Sequence, residues 1–439
     1  MNKSANKSAR GAPLRLGIAG LGAVGGGVVR LVSEQADLLA ARCGRPIQVT
    51  AVSARDRSLD RGFDMSPFTW HDDAVALAAS DEVDVLVELI GGDDGPARLA
   101  VEMAIAQGKD VVTANKALIA HHGTALAVAA EAKGVALNYE AAVAGGIPII
   151  KAMREGLAGN NFSRIYGILN GTCNYILTAM RDSGRDFDEV LDEAQALGYA
   201  EADPAFDVDG IDAAHKLAIL TALTFGCPVN LDAVHIEGIR NVSTIDIEFA
   251  TELGYRIKLL GIARLTEHGV EQRVHPCMVA EGSPIANVGG VFNAVVAEGN
   301  FVDRVMFEGR GAGEGPTASA VVGDLVDIAR GIRLPAFSVP AGSLRALPSS
   351  PMERHVGPYF VRLSLLDQAG VIADISAILR DLNISIGSMI QRGRDPGEPV
   401  PVVLITHESE EAAMVKAMAL IGALDAVVEE PKIIRIEAL

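Results

Sequence analysis

The chain has 439 residues, a formal net charge of −18, 49% hydrophobic residues and only 4% aromatics. That length suggests about three domains, and the acidity argues against nucleic acid and anionic membrane as partners, since both need clustered lysine and arginine. Four cysteines (Cys43, Cys173, Cys227, Cys277) lie far apart without metal-ligand or disulfide spacing. No apolar run reaches about 18 residues, so the chain is expected to be cytoplasmic with no membrane span.

In chain order, residues 1–13 are polar with no apolar signal core after them, and are expected to form a disordered tail. The runs LRLGIAG, IQVTAVSA, DVLVELI, KDVVTA and GVALNYE then alternate with helical patterns at Ala23–Ala40, Pro96–Gln107 and Lys116–Lys133. Apolar runs without strict alternation suit parallel strands covered on both faces. Residues 14–144 are therefore expected to form a Rossmann-type doubly wound parallel sheet, completed by about 310–342. Helical stretches at Ile147–Leu157, Asn174–Asp182, Asp188–Leu197 and Ile211–Phe225 precede the strands HIEGI, RIKLLGIARL and GVEQRVHPCMV. Residues 145–309 thus read as a mixed α+β domain. The Pro-rich stretch within 343–358 reads as a linker. Residues 359–439 follow as βαββαβ, a split βαβ sandwich.

The first strand runs into Gly20, Leu21, Gly22, Ala23, Val24 and Gly25, a G-x-G-x-x-G turn opening a helix. Glycines there allow a tight turn and close approach of a pyrophosphate to the helix N-terminus. At the tip of the second strand, Arg55 and Arg57 suit a ribose 2′-phosphate and favour NADP, while Asp56 keeps NAD open. Lys116 begins a helix at a strand's carboxyl end, where the helix dipole disfavours a cation, so a functional role is expected. Thr113 is the candidate cap of that helix.

The run GYAEADPAFDVDGIDAAHKLAIL leads five acids (Glu201, Asp203, Asp207, Asp209, Asp212) toward Lys216, which enters an apolar helix. A partly buried lysine is a credible proton carrier, more so beside a second cation such as Lys116. Glu201 and Asp212 are candidates for holding a substrate ammonium group. Asp203, Asp207 and Asp209 read as turn residues, and His215 as packing. Gly171 and Thr172 open a helix whose N–H groups could receive a carboxylate. Two rival readings stay open: a phosphorylating aldehyde dehydrogenase with Cys173 as nucleophile, and a non-catalytic amino-acid sensor.

Taken together, GLGAVGGGV, TANKALIA, EAAVAGGIPII, LNGTCNYIL, the acid-lysine run and GAGEGPTASAVVGD, in that order, resemble homoserine dehydrogenase of the monofunctional kind with a C-terminal ACT domain. The resemblance implies NAD(P)-dependent interconversion of L-homoserine and L-aspartate 4-semialdehyde on the way to threonine, methionine and isoleucine. It implies Lys216 as proton donor and acceptor with Lys116 as its partner, and Glu201 and Asp212 on the substrate. Gly92 and Gly313 would line the cofactor. A monovalent cation, sodium, would be held by Glu140 and the carbonyls of Val143, Gly145 and Ile147. The C-terminal module would bind threonine as inhibitor near Asp367 and Gly370, or serve dimerisation alone. Residues 145–309 would serve substrate binding and dimerisation, and a homodimer or homotetramer is the expected assembly.

Overall fold

The computed structural model describes residues 11–392 and 398–439, so the expected tail lies outside the described residues as far as Arg10. The chain divides into two compact units. One comprises the residues up to Leu169, Ala214–Asp232 and Phe292–Leu347; the other comprises Asn170–Ala213, Ala233–Val291 and Pro348–Leu439.

The first unit holds six parallel strands: β1 (Leu14–Ala19), β2 (Ile47–Ser53), β3 (Thr69–His71), β4 (Val85–Glu88), β5 (Asp110–Thr113) and β6 (Leu137–Asn138). Their order is β3-β2-β1-β4-β5-β6, so the winding reverses between β1 and β4. Leu16, Ile18, Val85, Val87, Val111 and Val112 are completely buried. Helices α1 (Ala23–Glu34), α2 (Ala36–Cys43), α3 (Ala74–Ala79), α4 (Pro96–Ala106) and α5 (Lys116–Lys133) connect the strands. The predicted helix Ala23–Ala40 is therefore two helices, broken at Gln35, whose backbone (φ −103°, ψ 17°) leaves the helical region. β3 (three residues) and α3 (six, AVALAA) are too short for a periodicity to stand out in the sequence; Asp73 starts α3 by accepting from Val75 N and Ala76 N, both at 3.2 Å.

A later helix, Glu314–Ala329, packs on α1. A Cβ on Gly27 would lie 2.8 Å from Glu314 Cγ and 3.2 Å from Ala318 Cβ, so the absence of a side chain there lets the helices meet. Val28, Val29 and Val32 share one core with Val321, Leu325 and Ile328. The same unit contains an antiparallel sheet of Phe162–Ile168, Phe292–Gly299 and Asp303–Arg310, which the sequence pattern did not disclose. The predicted helix Ile147–Leu157 is one turn (Ile149–Lys151) that widens into a π-helical stretch, Ala152–Gly156.

In the second unit, Tyr255–Thr266 and Gly269–Ala280 form an antiparallel hairpin. Gly269–Ala280 also pairs in parallel with Lys432–Glu437. The C-terminal strands run in the order Lys432–Glu437, Tyr359–Leu366, Pro399–Thr406, Ile386–Gln391, with helices Val371–Asp381 and Glu411–Gly422, as the βαββαβ reading expects. The Pro-rich stretch is seated rather than loose from Pro348 onward. Val270 N donates to Pro348 O at 2.8 Å and Ser350 N to Val270 O at 2.9 Å.

Candidate functional site

At the reversal between β1 and β4 the chain must turn tightly, and two glycines make this possible. Gly20 has φ +101°, and a Cβ there would lie 2.5 Å from Leu89 O at the end of β4. A Cβ on Gly25 would lie 2.1 Å from Gly20 O, so no other residue lets α1 start this close to β1. Gly22 caps α1 without a side-chain bond, and no atom lies within 4 Å of where its Cβ would be. That is open space at a helix N-terminus, where backbone N–H groups and the helix dipole receive a phosphate.

A crevice of about 470 Å³ opens beside this turn, lined by Gly20, Leu21, Gly22, Ser53, Arg55, Asp56 and Arg61 among others. Of the two predicted arginines, Arg55 lines it, whereas Arg57 does not and lies over the Trp70 ring at 5.8 Å. Arg61, which the sequence reading passed over, also lines the crevice. It packs on Trp70 at 5.6 Å and donates to the carbonyls of Leu59 (2.9 Å) and Asp56. Its signal was weak because it sits four residues beyond Arg57 in a loop without periodicity.

A second cavity, about 260 Å³, brings together Val24, Leu89, Ile90, Gly91, Asn115, Lys116, Gly145, Lys216 and Thr317. Both predicted lysines therefore face one space, at the carboxyl ends of β4 and β5. Lys216 is only 8% exposed and its Nζ donates to Leu169 O at 2.8 Å. Lys116 is half-buried at the first position of α5. The cap of α5 is not Thr113 but Asn115, whose Oδ1 accepts from Leu118 N at 3.1 Å. Thr113 ends β5 instead, two residues before the cap, and its oxygen accepts from Asn115 N at 2.9 Å rather than from an N–H inside the helix. Gly92 gives its carbonyl to Asn115 Nδ2 (2.6 Å), and Gly313 (φ +117°) starts the helix Glu314–Ala329. The ring of His215 packs edge-on against His121 at 5.4 Å, consistent with a packing role.

Glu140 is 1% exposed, and its two carboxyl oxygens accept from Ile150 N (2.9 Å) and Lys151 N (2.8 Å). Its own N–H donates to Asp324 Oδ2 at 2.9 Å. Burial, first, and the neighbouring Asp324 push Glu140 up to about 8, and burial pushes Asp324 up to about 6. Two desolvated acids side by side call for positive charge. Ala144 (φ 57°) and Gly145 (φ 52°) bend the adjoining turn, which carries the carbonyls of Val143, Gly145 and Ile147. A carboxylate with backbone carbonyls is an all-oxygen donor set, the kind a hard cation takes. By donor type the residues suit the expected cation, beside positive charge that Arg154 and Lys151 already bring to the two acids.

In the second unit, Asn170 caps the helix Gly171–Ser183 through Oδ1 to Cys173 N (2.8 Å). Its Nδ2 donates to both Asp207 Oδ1 and Asp212 Oδ2, each at 2.8 Å. Thr172 Oγ1 donates to Tyr199 O at 2.7 Å and lies 3.3 Å from Asp207 Oδ2. Asp207 is thus more than a turn residue, and Asn170, unremarked in the sequence, ties two acids together. Asp212 is 2% exposed, whereas Glu201 is exposed. Asp212 and Lys216 stand one turn apart on the helix Ile211–Phe225. Cys173 is completely buried with Sγ 3.2 Å from Asp207 O, which does not present it as a nucleophile. Gly370 takes φ +101° at the start of Val371–Asp381, and Asp367 is half-buried just before it.

Known proteins resemble this chain over most of its length. Family models described as homoserine dehydrogenase NAD binding domain, homoserine dehydrogenase and ACT domain match residues 20–140, 148–326 and 359–419. A homoserine dehydrogenase of Neisseria gonorrhoeae is 44% identical over 434 residues, covering 97% of this chain and 99% of the relative. The crystal structure of a homoserine dehydrogenase from Thiobacillus denitrificans superposes with a TM-score of 0.92 at 46% identity, covering 98% of this chain and 99% of that one. A hyperthermophilic archaeal homoserine dehydrogenase solved in complex with NADPH gives 0.62 at 26% identity, covering 72% of this chain and 97% of that one.

Proposed function

Because the chain belongs to the homoserine dehydrogenase family of NAD(P)-dependent oxidoreductases, we propose that it reduces L-aspartate 4-semialdehyde reversibly to L-homoserine, with Lys216 as the proton donor. The observation that carries the assignment of roles is the shared cavity of Lys116 and Lys216 at the carboxyl ends of β4 and β5. A bound nicotinamide supplies the hydride. The Gly20–Gly25 turn holds the pyrophosphate on the N-terminus of α1. Arg55, with the 2′-phosphate of the archaeal relative's NADPH as analogy, favours NADP over NAD. As negative charge grows on the aldehyde oxygen, the Lys216 ammonium stabilises it and passes on a proton. Lys116 adds a second positive charge to the same cavity. Glu201 and Asp212 take the substrate ammonium group, and the opening of the helix at Gly171 and Thr172 takes its carboxylate, so the aldehyde is oriented rather than free.

Glu140 with the carbonyls of Val143, Gly145 and Ile147 would hold sodium, which would neutralise the buried acids and brace the turn beside Gly145. Threonine would act on the ACT module near Asp367 and Gly370 to restrain turnover, and the assembly is a homodimer or homotetramer. The test is NADPH oxidation by aspartate semialdehyde, with and without threonine, in the wild type and in Lys216→Met. The variant is expected to lose about 100-fold or more in turnover while still binding NADPH. Near-normal turnover would remove Lys216 from its role.

A further inference from the structure

Glu88 ends β4 in the middle of the parallel sheet and is completely buried. A carboxyl group there is costly unless its oxygens are occupied, and both are. Oε1 accepts from Ile90 N at 2.7 Å and Gly91 N at 3.1 Å. Oε2 accepts the hydroxyl of Thr113, from the neighbouring strand β5, at 2.5 Å. The Thr113 oxygen in turn accepts from Asn115 N at 2.9 Å. Asn115 then caps α5 through Leu118 N and donates from Nδ2 to Gly92 O at 2.6 Å, which closes the circuit back onto the loop after β4. Ile90, Gly91, Asn115 and Lys116, all held by this circuit or adjacent to it, are walls of the lysine cavity.

We infer that Glu88 and Thr113 are positioning residues for the reaction: they tie the turn after β4 to the start of α5 and so set where Lys116 and the cavity wall stand relative to the reacting groups. Neither side chain lines the cavity. Their effect passes through backbone N–H groups and Asn115. A tether of this kind acts on orientation in the reacting complex, so its loss falls on kcat more than on cofactor affinity. The kinetic half of the inference rests on the reductase reading above; the structural half does not.

Thr113→Val keeps the volume and removes only the hydroxyl. It is expected to lower kcat on the order of 10- to 100-fold, with the NADPH KM held within about 3-fold. The primary isotope effect with 4-deuterated NADPH should rise as hydride transfer becomes limiting. Thr113→Ser should restore the wild-type values. Glu88→Gln, which keeps the acceptor for Ile90 and Gly91 but places an NH2 group against Thr113, should behave as Thr113→Val does. It serves in its place if the valine variant does not fold. A kcat within about twofold of wild type, or a serine variant as slow as the valine one, would overturn the inference. Amide exchange reads the tether without turnover: Ile90, Gly91 and Asn115 should exchange faster in Thr113→Val, and unchanged exchange would also overturn it. A wild type inactive with homoserine would end the reaction assignment, and the exchange measurement would then decide the tether alone.

Discussion

The backbone N–H of Glu140 donates to the carboxyl of Asp324 at 2.9 Å, and both side chains are buried. Glu140 is pushed up to about 8, so between its ordinary value of 4.5 and that point the folded protein binds a proton that the unfolded chain does not. Stability from this group is therefore greatest at low pH and falls as pH rises through that window. A cation needs the ionised carboxylate and offsets the fall. In tetramethylammonium buffer the Tm is expected to drop from about pH 5 to about pH 8; in sodium chloride of equal ionic strength the drop should shrink. Glu140→Gln should lose the sodium effect and the pH dependence above about pH 6, leaving the part that Asp324 contributes below it. A sodium effect undiminished in that variant places the cation elsewhere.

Asn170 bonds Asp207 and Asp212 with one amide nitrogen while its oxygen caps a helix. Asn170→Asp keeps a capping oxygen but replaces the donor with a third negative charge. Hydrogen bonds to charged groups contribute about 1.5–3 kcal/mol, so the homoserine KM should rise about tenfold or more. Asn170→Ala should show a similar rise and in addition a lower Tm from the lost cap. Steady-state kinetics with melting curves separate the two effects; an unchanged KM in both variants would remove Asn170 from substrate binding.

Arg55 and Arg61 line the crevice beside the glycine turn, whereas Arg57 does not. Guanidinium groups pair with a 2′-phosphate more strongly than with a hydroxyl. Arg55→Ala and Arg61→Ala should each cut kcat/KM for NADPH on the order of tenfold and leave NADH nearly unaffected. Arg57→Ala should change little. The ratio of the two cofactors' kcat/KM values measures this, and a shift confined to Arg57→Ala would reverse the assignment.

Glu271 lies in a buried ionic cluster of the second unit, 2% exposed. It accepts from Arg273 Nε (2.5 Å), Arg264 Nη2 (3.2 Å) and His355 Nδ1 (3.2 Å). Burial alone would raise its carboxyl, but the His355 bond and the arginine charges outweigh that and hold it well below the ordinary range. Its contribution to stability is present above the ordinary value of 4.5 and is lost as pH falls below it. Urea midpoints should therefore decline on acidification in the wild type. Glu271→Gln should start lower at neutral pH and decline less. Parallel curves for the two proteins would show that the acid sensitivity arises elsewhere.

Much of this was legible along the chain. Apolar β1, β4 and β5 are buried on both faces, so their residue types alone declared them. The Gly20–Gly25 turn could be read because its conformation and close contacts exclude side chains. Lys216 stood out because an ammonium group rarely enters an apolar helix. Phe162–Ile168 and Asp303–Arg310 were hidden, since a strand whose partner lies far away in sequence leaves only a short local pattern.

By itself the sequence determined many of the buried segments and singled out the glycine turn and the lysine proposed for a phosphate and a proton, because burial and backbone freedom are properties of residue type. Only the tertiary structure decided which polar groups meet. Glu88 and Thr113 lie 25 positions apart, and Glu140 and Asp324 lie 184 apart. Such pairs are chosen by strand order and helix packing, and those depend on the whole chain rather than on any window of it.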